Sequence, residues 1–311
     1  MSEFHHVSVL LDECIEGLNI KPDGIYVDGT LGGAGHSSHI AAKLTTGRLV
    51  GIDRDTVALE AAVQRLEPYK ERVSLVHANF SQIDNALDEL GIDKVDGILL
   101  DLGVSSPQLD DGERGFSYMV DAPLDMRMDR ADAQDAHQIV NTWSYEELKR
   151  ILYDYGEERY APQIAAAICR HREEKPIETT LELVDIIRSA MPPAALREKQ
   201  HPAKRSFQAI RIAVNDELNS VAKVMESAIP RLNPGGRLAV ITFHSLEDRI
   251  VKNAMAGAAK GCTCPPNFPV CVCGKKPQVK IITRKPIVST DAELERNPRA
   301  RSAKLRICEK L

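Results

Sequence analysis

The 311-residue sequence has few aromatic side chains, no long apolar run and no pattern typical of a secreted protein. Aromatic residues make up 5% of the chain, which has a single tryptophan. No apolar stretch approaches the roughly 20 residues that a membrane-spanning helix needs, and no charged-then-apolar signal segment is present. Seven cysteines, an odd number, favour reduced thiols over a disulfide framework. We therefore expect a cytoplasmic protein that is not inserted in a membrane.

The chain also lacks an excess of positive charge. Its net charge of -5 excludes a global field that attracts nucleic acid, so any RNA binding depends on local basic patches. One patch, the stretch 197–211, contains Lys204 and Arg205, and a second covers 296–306. Each patch has the alternative of being an ordinary solvated charged face.

Strand and helix patterns alternate over the first hundred residues and resume after a helical stretch. This alternation predicts an α/β fold with a doubly wound, mostly parallel sheet and right-handed crossovers. A long amphipathic helix is predicted at about 206–231, before the fifth strand. The predicted strands lie at about 25–28, 48–53, 73–77, 96–101, 237–243, 279–283 and 304–307, the last two forming an antiparallel pair. Seven strands that end in such a pair are typical of Rossmann-like methyltransferases.

The middle of the chain shows a different pattern. Ser105–Arg130 is rich in Gly, Pro, Asp and Met and predicts a long structured loop, a feature that is uncommon unless it is functional. Helical signals alone follow it. We therefore divide the chain into the first part of a methyltransferase domain at 1–108, an all-helical insertion for substrate recognition at 109–204, and the second part of the methyltransferase domain at 205–311.

A glycine-rich turn follows the first predicted strand. The sequence Asp28–His36 contains four glycines, which allow the backbone to approach a ligand closely, and the next helix offers free N–H groups. Asp53 ends the second strand, where a carboxylate can accept hydrogen bonds from both hydroxyls of a ribose. The pair predicts a nucleoside-cofactor site at the carboxyl edge of the sheet.

Two cofactors fit such a site, NAD and S-adenosylmethionine. NAD needs glycines in a spacing that admits a pyrophosphate, from which this turn departs. Asp28, directly before the glycines, opposes a pyrophosphate but suits the ammonium and sulfonium groups of S-adenosylmethionine. We therefore favour the methyl donor, with an NAD-dependent oxidoreductase and a non-catalytic RNA-binding module as the rival interpretations.

Further polar residues follow the other strands. Asp101, Ser105 and Ser106 come after the fourth strand, where they can accept a hydrogen bond from an attacking amine. Asn79 and Phe80 follow the third strand, at the place for an adenine ring, although Phe80 can equally be a core residue. His244, after the fifth strand, is a candidate general base, a substrate ligand or a satisfied loop residue.

Several segments resemble the ribosomal RNA small subunit methyltransferase H family, also called MraW, in order along nearly the whole chain. The family transfers a methyl group from S-adenosylmethionine to the N4 amine of one cytidine in the decoding centre of bacterial 16S rRNA. The resemblance therefore implies a Rossmann-like class I methyltransferase whose partner is 16S rRNA in a small-subunit particle; a homodimer is also compatible with it. The segments are 27–30, 35–37, 52–55, 100–109, 114–117, 123–128, 243–249 and 297–302.

The resemblance adds His36 and Gln108 to the cofactor residues chosen from the pattern. The predicted cofactor-binding set is Asp28, Gly32, Gly33, Ala34, Gly35, His36, Asp53, Asn79, Phe80, Asp101 and Gln108. The predicted catalytic set is Asp101, Ser105, Ser106 and His244. Residues polar or aromatic enough to hold the nucleotide and its phosphates are Arg114, Phe116, Asp125, Arg127, Lys204, Arg205, Arg211 and Asn215.

A cluster of cysteines lies outside these motifs. Cys262, Cys264, Cys271 and Cys273 form two Cys-x-Cys pairs, a spacing tighter than that of most zinc sites. The cluster predicts either a structural zinc or a reduced, metal-free loop. Methyl transfer from a sulfonium needs no metal, so such a zinc is not catalytic.

Overall fold

The computed structural model describes residues 8–262, 264–265, 268–270 and 272–311. The chain forms two compact units. The sheet unit ends its first part at Gly103 and resumes from Leu218 to Leu311, and the helical unit is Val104–Glu217. The sequence pattern predicts a helical insertion at 109–204, and the compact unit begins earlier and ends later than those boundaries.

The described part of the sheet unit contains a seven-stranded sheet in the order β3-β2-β1-β4-β5-β7-β6. Strands β1 to β5 run parallel, whereas β7 is antiparallel to both β5 and β6. The strands are β1 Ile25–Asp28, β2 Arg48–Asp53, β3 Val73–His77, β4 Val95–Asp101, β5 Leu232–Thr242, β6 Val279–Ile281 and β7 Lys304–Lys310. This order confirms the predicted Rossmann-like class I methyltransferase sheet with its terminal antiparallel pair.

Helices pack on the sheet and build the helical unit. In the sheet unit they are α1 Leu11–Leu18, α2 Gly35–Lys43, α3 Thr56–Arg65, α4 Ile83–Glu89, α11 Glu217–Ala228, which begins at the boundary, α12 Ser245–Lys260 and α13 Asp291–Arg296. In the helical unit they are α5 Ser106–Asp110, α6 Ala136–Thr142, α7 Tyr145–Asp154, α8 Ala161–Glu174, α9 Thr180–Ser189 and α10 Lys204–Asn215. No described helix is long and apolar enough to cross a membrane.

The central strands are apolar because helices cover both faces of the sheet. Ile98, Leu99 and Leu100 of β4 have no exposed surface, and they divide between two hydrophobic clusters. A continuous apolar run of this kind is expected in a parallel strand that is buried on both faces. The rigid sheet thereby fixes the positions of Asp28 and Asp101, the residues with which β1 and β4 end.

The helical unit has its own hydrophobic core, which contains Ile139, Ile151, Ile164, Leu183 and Ile210. The predicted single helix over 206–231 was wrong: it is divided into α10 and α11. Asp216 between them adopts a left-handed backbone with φ of 50°. Asn215, the last residue of α10, binds the backbone of Met126 and Met128 with its side chain.

Candidate functional site

The first and fourth strands are neighbours in the sheet, and their carboxyl ends form the switch point of the strand order. Strand β1 has β2 on one side and β4 on the other, so the connections diverge at this position. Ligands of open α/β sheets bind at such a crevice. The backbone N–H of Asp101 donates to the hydroxyl of Thr30 at 2.5 Å, which joins the end of β4 to the turn after β1.

The glycine-rich turn bends tightly from β1 into α2. Gly32 and Ala34 both have positive φ, of 49° and 54°. For alanine this left-handed conformation is uncommon, and strained backbone of this kind clusters at ligand-binding sites. A side chain at Gly35 would collide with Ser8. The turn is therefore held by its neighbours in one conformation, with Gly32 and Gly33 partly exposed at its tip.

Asp53 is tied into this turn by its carboxylate. Oδ2 accepts a hydrogen bond from the backbone N–H of Gly32 at 2.7 Å, and Oδ1 accepts one from Asp55 at 2.9 Å. The Arg54 backbone N–H also donates to this carboxylate, whose two oxygens offer about four acceptor sites in all, so Asp53 keeps capacity for a further hydroxyl group. Burial raises the pKa of Asp53. Its position suits the predicted contact with a ribose.

Asp28 is only 1% exposed and is satisfied within the protein. Its oxygens accept hydrogen bonds from the Ser37 hydroxyl at 2.7 Å and the Thr30 N–H at 3.2 Å. Burial raises the pKa of Asp28 to about 6, although these hydrogen bonds oppose the rise. Asp28 therefore orders the turn and contributes its charge to the site rather than an open carboxylate. Ser37, which the sequence analysis did not select, is its partner in the first turns of α2.

The carboxyl group of Asp101 has an acceptor atom that no described residue uses. Its Oδ1 is buried and has no hydrogen-bond partner among the described residues, while the side chain as a whole is 22% exposed. Burial raises the pKa of Asp101 to about 8, and the negative charges of Asp28 and Glu247 add to the rise. His36 lies beside it, with its Nδ1 3.8 Å from Asp101 Oδ2. The carboxyl groups of Asp28 and Asp101 thus repel each other at the switch point.

Asn79 and Phe80 begin a short helical turn after β3. The Asn79 Oδ1 accepts from the Ser81 N–H at 2.9 Å, and its Nδ2 donates to the Ser220 hydroxyl at 3.3 Å. These contacts assign Asn79 a capping role and leave part of its amide capacity for a ligand. Phe80 is half-buried against the core of the sheet unit. Phe80 therefore contacts the core and also keeps part of its ring accessible.

His244 caps helix α12 and is 9% exposed. Its Nδ1 accepts from the Glu247 N–H at 3.4 Å, and its Nε2 lies 3.1 Å from Glu247 Oε1. Glu247 in turn accepts from the Phe243 N–H at 2.9 Å. The Nδ1 contact gives His244 a capping role, whereas its buried Nε2 makes no hydrogen bond among the described residues, so the roles of general base and substrate ligand stay predictions. The His-x-x-Glu spacing is that of a capping box, a signal by which Glu247 could have been found in the sequence.

Ser105 and Gln108 form a capping box at the start of α5 in the helical unit. The Ser105 N–H donates to Gln108 Oε1 at 3.0 Å, and the Gln108 N–H donates to the Ser105 hydroxyl at 3.4 Å. Gln108 is 5% exposed. Both side chains thus organise the segment that follows Asp101. The side chain of Ser106 lies outside the described part of the chain, so its catalytic role stays a prediction.

Most of the predicted substrate residues brace the loop from Arg114 to Met128. The Arg114 guanidinium is 3% exposed and donates to the carbonyl oxygens of Arg127 and Met128, each at 2.9 Å. Arg127 binds Asp125 with two hydrogen bonds of 2.9 and 2.8 Å, which lowers the pKa of Asp125 against the effect of its burial. Phe116 is 7% exposed in the helical core. These side chains hold the loop and offer little surface to a nucleotide.

The remaining predicted substrate residues divide into paired and exposed side chains. Arg211 makes two hydrogen bonds of 2.8 Å to Glu217. Asn215 is 2% exposed, and its amide binds the backbone of Met126 and Met128. Arg205 is exposed, and Lys204 is half-exposed at the start of α10. Lys204 and Arg205 thus present their charges at the surface of the helical unit.

A doubly wound sheet with clustered carboxyl groups at its switch point defines a Rossmann-like enzyme that binds a cationic nucleoside cofactor. The model of the MraW methylase family matches residues 3–311. The chain therefore belongs to the MraW methylase family. This confirms the predicted methyltransferase class, with S-adenosylmethionine rather than NAD as the cofactor.

Individual relatives match over their full length. The chain is 59% identical over 309 residues to ribosomal RNA small subunit methyltransferase H of Brevibacillus brevis, covering 99% of this chain and 98% of the relative. It is 59% identical over 310 residues to the protein of that name from Clostridium botulinum strain Kyoto, covering 99% and 100%. A solved structure of an rRNA methylase from Streptococcus thermophilus aligns at 12% identity and a TM-score of 0.42, over 97% of this chain and 93% of that one.

The residues at the switch point fit S-adenosylmethionine on their own chemistry. Asp28 and Asp101 both have a raised pKa, so a cation placed beside them relieves their mutual repulsion. A pyrophosphate would increase that repulsion. Asp53 has acceptor capacity for ribose hydroxyls, and the Asp101 Oδ1 is a buried acceptor without a partner in the described structure. The carboxyl groups of Asp28 and Asp101 match a cationic nucleoside and oppose a dinucleotide, whereas the acceptor capacity of Asp53 suits the ribose of either cofactor.

Proposed function

We propose that this protein methylates the N4 amine of one cytidine in the decoding centre of 16S rRNA, within a small-subunit particle. The proposal is supported by membership in the methylase family and by relatives that are named ribosomal RNA small subunit methyltransferase H. The observation that carries the catalytic part is the Asp101 carboxyl group at the switch point, with a buried oxygen that lacks a partner among the described residues.

Asp101 orients the attacking amine. The N4 lone pair of cytosine is delocalised into the ring, so the amine is a weak nucleophile until its hydrogens are held away from the ring plane. An ionised Asp101 accepts a hydrogen bond from N4 and stabilises the positive charge that grows on the nitrogen. S-adenosylmethionine supplies a methyl group that its sulfonium charge already activates. Positioning by the protein can contribute about 7–11 kcal/mol to lowering the barrier.

The raised pKa of Asp101 implies an order of binding. With a pKa of about 8, Asp101 is mostly protonated at pH 7 in the free protein and is then a poor acceptor. A cation at the switch point lowers this pKa and ionises the carboxyl group. The acceptor for the amine is thus created by the binding of the methyl donor. We therefore propose that the donor binds before the cytidine.

The other predicted site residues hold the two substrates. Asp53 accepts hydrogen bonds from the ribose of the donor, the turn of Gly32, Gly33 and Ala34 provides close backbone contact, and Phe80 packs on the adenine ring. Catalytic roles for Ser105, Ser106 and His244 stay predictions beside the capping contacts of Ser105 and His244. On the helical unit, Lys204 and Arg205 provide the exposed charges for RNA phosphates.

Methyl transfer to small subunits tests the proposal. Subunits from cells that lack this gene are incubated with the protein and isotopically labelled S-adenosylmethionine, and the 16S rRNA is digested to nucleosides for mass spectrometry. N4-methylcytidine at one position of the decoding centre is the expected product. Asp101→Asn should lower turnover by at least about 100-fold, since it removes a charge aimed at the transition state.

A matched variant separates catalysis from folding. Asp93 precedes β4 at the opposite edge of the sheet, and its side chain is 88% exposed, so Asp93→Asn should keep wild-type turnover. Binding of S-adenosylmethionine without any methylcytidine, or methylation at carbon or ribose oxygen, would overturn the assignment of the amine. Wild-type turnover in Asp101→Asn would overturn the role of Asp101.

A further inference from the structure

The segment that joins α12 to β6 begins and ends at one place. Helix α12 ends at Lys260, and Gly261 follows with a φ of 66°. A side chain at Gly261 would collide with the backbone of Lys276 and Pro277, so glycine permits the close approach of the returning chain. The Gln278 N–H donates to the Ala258 carbonyl oxygen at 2.8 Å. The cysteine loop, residues 262–276, is therefore closed at its base.

Three thiols meet inside this cysteine loop. The Sγ atoms of Cys262, Cys264 and Cys273 all lie within 4.8 Å of one another, and those of Cys262 and Cys273 are 3.7 Å apart. That distance is far longer than the roughly 2.05 Å of a disulfide bond. Thiolates that surround Zn²⁺ tetrahedrally at about 2.3 Å are about 3.8 Å apart, because a tetrahedron edge is about 1.63 times the centre-to-corner distance. The observed separation matches that edge.

The described residues of the cysteine loop make few other contacts that would stabilise it. In its described residues it forms neither helix nor strand. Its apolar side chains point outward: Phe268 is 53% exposed, Val270 is 69% exposed and Val272 is 73% exposed. A segment that buries so little apolar surface does not offset the conformational entropy of ordering it. A metal bound by the thiols supplies the missing free energy, as in small zinc-bound folds.

The position of the cluster assigns it a structural role. Arg237 of β5 pairs with Glu309 of β7, and Val279, which begins β6 soon after the cysteine loop, pairs with Lys310 of β7. Because β5 and β6 are both antiparallel to β7, β6 begins at the edge of the sheet that holds the amino ends of the parallel strands. The loop therefore lies at the sheet edge opposite to the carboxyl ends that carry Asp28 and Asp101. A metal there is remote from the reacting methyl group.

We propose that Cys262, Cys264 and Cys273 bind a structural Zn²⁺ that fastens the cysteine loop. Thiolates are soft ligands, and a tetrahedral sulfur site selects zinc or an iron–sulfur centre; a mononuclear zinc agrees with the single 3.7 Å separation. Cys271 completes the two Cys-x-Cys pairs in the sequence and is the predicted fourth ligand. It lies outside the described residues, and the proposal depends on the three thiols that meet.

Metal analysis of the purified full-length protein tests the proposal. The protein is kept reduced, passed over a chelating resin to remove loosely bound ions, and analysed by plasma mass spectrometry. We expect about one zinc per chain and no iron, as for a closed structural site. Cys262→Ser and Cys273→Ser should each remove the zinc, with S-adenosylmethionine binding retained. Cys169→Ser, which changes a half-buried thiol of the helical unit, should keep it.

Two further measurements guard against a variant that does not fold. Titration of the wild-type protein with a mercurial reagent should release the zinc in step with modification of the loop thiols. Protein reconstituted with Co²⁺ should show the thiolate-to-cobalt charge-transfer band of a tetrahedral sulfur site. Wild-type protein without zinc after the resin, iron in place of zinc, or folded Cys262→Ser that keeps its zinc would each overturn the proposal.

Discussion

Nδ1 of His36 lies 3.8 Å from Oδ2 of Asp101, while Nε2 of the same ring lies 3.0 Å from the carbonyl oxygen of Val9. A carbonyl oxygen only accepts hydrogen bonds, so Nε2 carries the ring proton. In the neutral ring, Nδ1 is then a lone pair that faces the carboxyl group of Asp101. Burial raises the pKa of Asp101 to about 8, and the negative charges of Asp28 and Glu247 add to the rise, so the carboxyl group beside this ring binds a proton more readily than an exposed aspartate does.

This arrangement predicts that the affinity for S-adenosylmethionine depends on pH. Below pH 8 the cation must displace the proton of Asp101. The affinity for S-adenosylmethionine should therefore fall by up to about tenfold for each unit by which the pH is lowered. S-adenosylhomocysteine lacks the sulfonium charge, and its affinity should change less. Calorimetric titrations of both ligands between pH 6 and 8, a range from about two units below the pKa of Asp101 up to that pKa, measure the difference. Asp101→Asn should abolish it; equal slopes for both ligands in the wild-type protein would show that Asp101 does not sense the sulfonium.

Asp53 is expected to hold the ribose of the donor. Asp53→Ala leaves the hydroxyls unpaired and removes the acceptor for the Gly32 N–H, so affinity should fall by about 1–3 kcal/mol. The same calorimetric titration measures the loss, and Asp93→Asn serves as a matched carboxylate control. If Asp53→Ala binds S-adenosylmethionine with wild-type affinity, the carboxylate at the end of β2 does not hold the ribose.

Asn215 is expected to stabilise the helical unit rather than to bind RNA. Its amide donates to the Met126 carbonyl oxygen at 2.7 Å and accepts from the Met128 N–H at 2.8 Å, both in buried surroundings. Asn215→Ala should lower the free energy of unfolding by about 1–3 kcal/mol for each partner left unsatisfied. Urea unfolding measures this. Gln208→Ala in the same helix removes one hydrogen bond, to the Tyr155 carbonyl oxygen, and should cost less. Unchanged stability with lost RNA affinity would restore the predicted substrate role.

The sequence predicts the sheet and the strand-end positions of three carboxyl groups well, because both follow from local patterns. Asp28, Asp53 and Asp101 each end an apolar run, and the ends of parallel strands meet at one edge of the sheet. The roles of Arg114 and Asn215 could not be predicted in this way. Their partners are backbone atoms 13 and 14 residues away for Arg114 and 87 and 89 residues away for Asn215. Polarity alone does not distinguish a buried arginine that binds carbonyl groups from one that binds phosphate.

The break between α10 and α11 shows a second limit of periodicity. Apolar residues keep their helical spacing on both sides of Asp216, so the pattern predicts one helix over 206–231. One left-handed residue interrupts the helix without disturbing the spacing. The preference of Asn and Asp for this conformation was the available signal, in the pair Asn215-Asp216.

The helical unit is expected to be dispensable for cofactor binding. A variant in which Val104–Glu217 is replaced by a flexible linker should fold, because the sheet unit has its own hydrophobic clusters. It should bind S-adenosylmethionine but not methylate small subunits. Calorimetry and the methyl-transfer assay measure the two properties. The prediction would be contradicted if Gln108→Ala binds S-adenosylmethionine like the wild-type protein while the deletion variant does not bind it. Some other part of the helical unit would then be needed for cofactor binding.

Lys204 and Arg205 are expected to contact RNA phosphates. Arg205 is exposed, and its guanidinium donates a hydrogen bond to the Glu157 carbonyl oxygen at 3.2 Å. The acidic residue Glu198 pairs with Arg159. Lys204→Ala combined with Arg205→Ala should therefore weaken rRNA binding most at low salt, reducing the salt slope by about one unit for each lost charge.

Two controls distinguish this phosphate contact from a structural role of the same charges. Lys149 and Lys175 of the helical unit pair with Glu146 and Glu182 at 2.7 and 2.8 Å, so replacing both by alanine should leave the salt slope unchanged. Affinity for S-adenosylmethionine should be that of the wild-type protein in both double variants. If Lys204 and Arg205 only stabilise the fold, their removal lowers the melting temperature and leaves the slope unaltered. Binding measured over a series of salt concentrations, with thermal unfolding of the same samples, decides between the two roles.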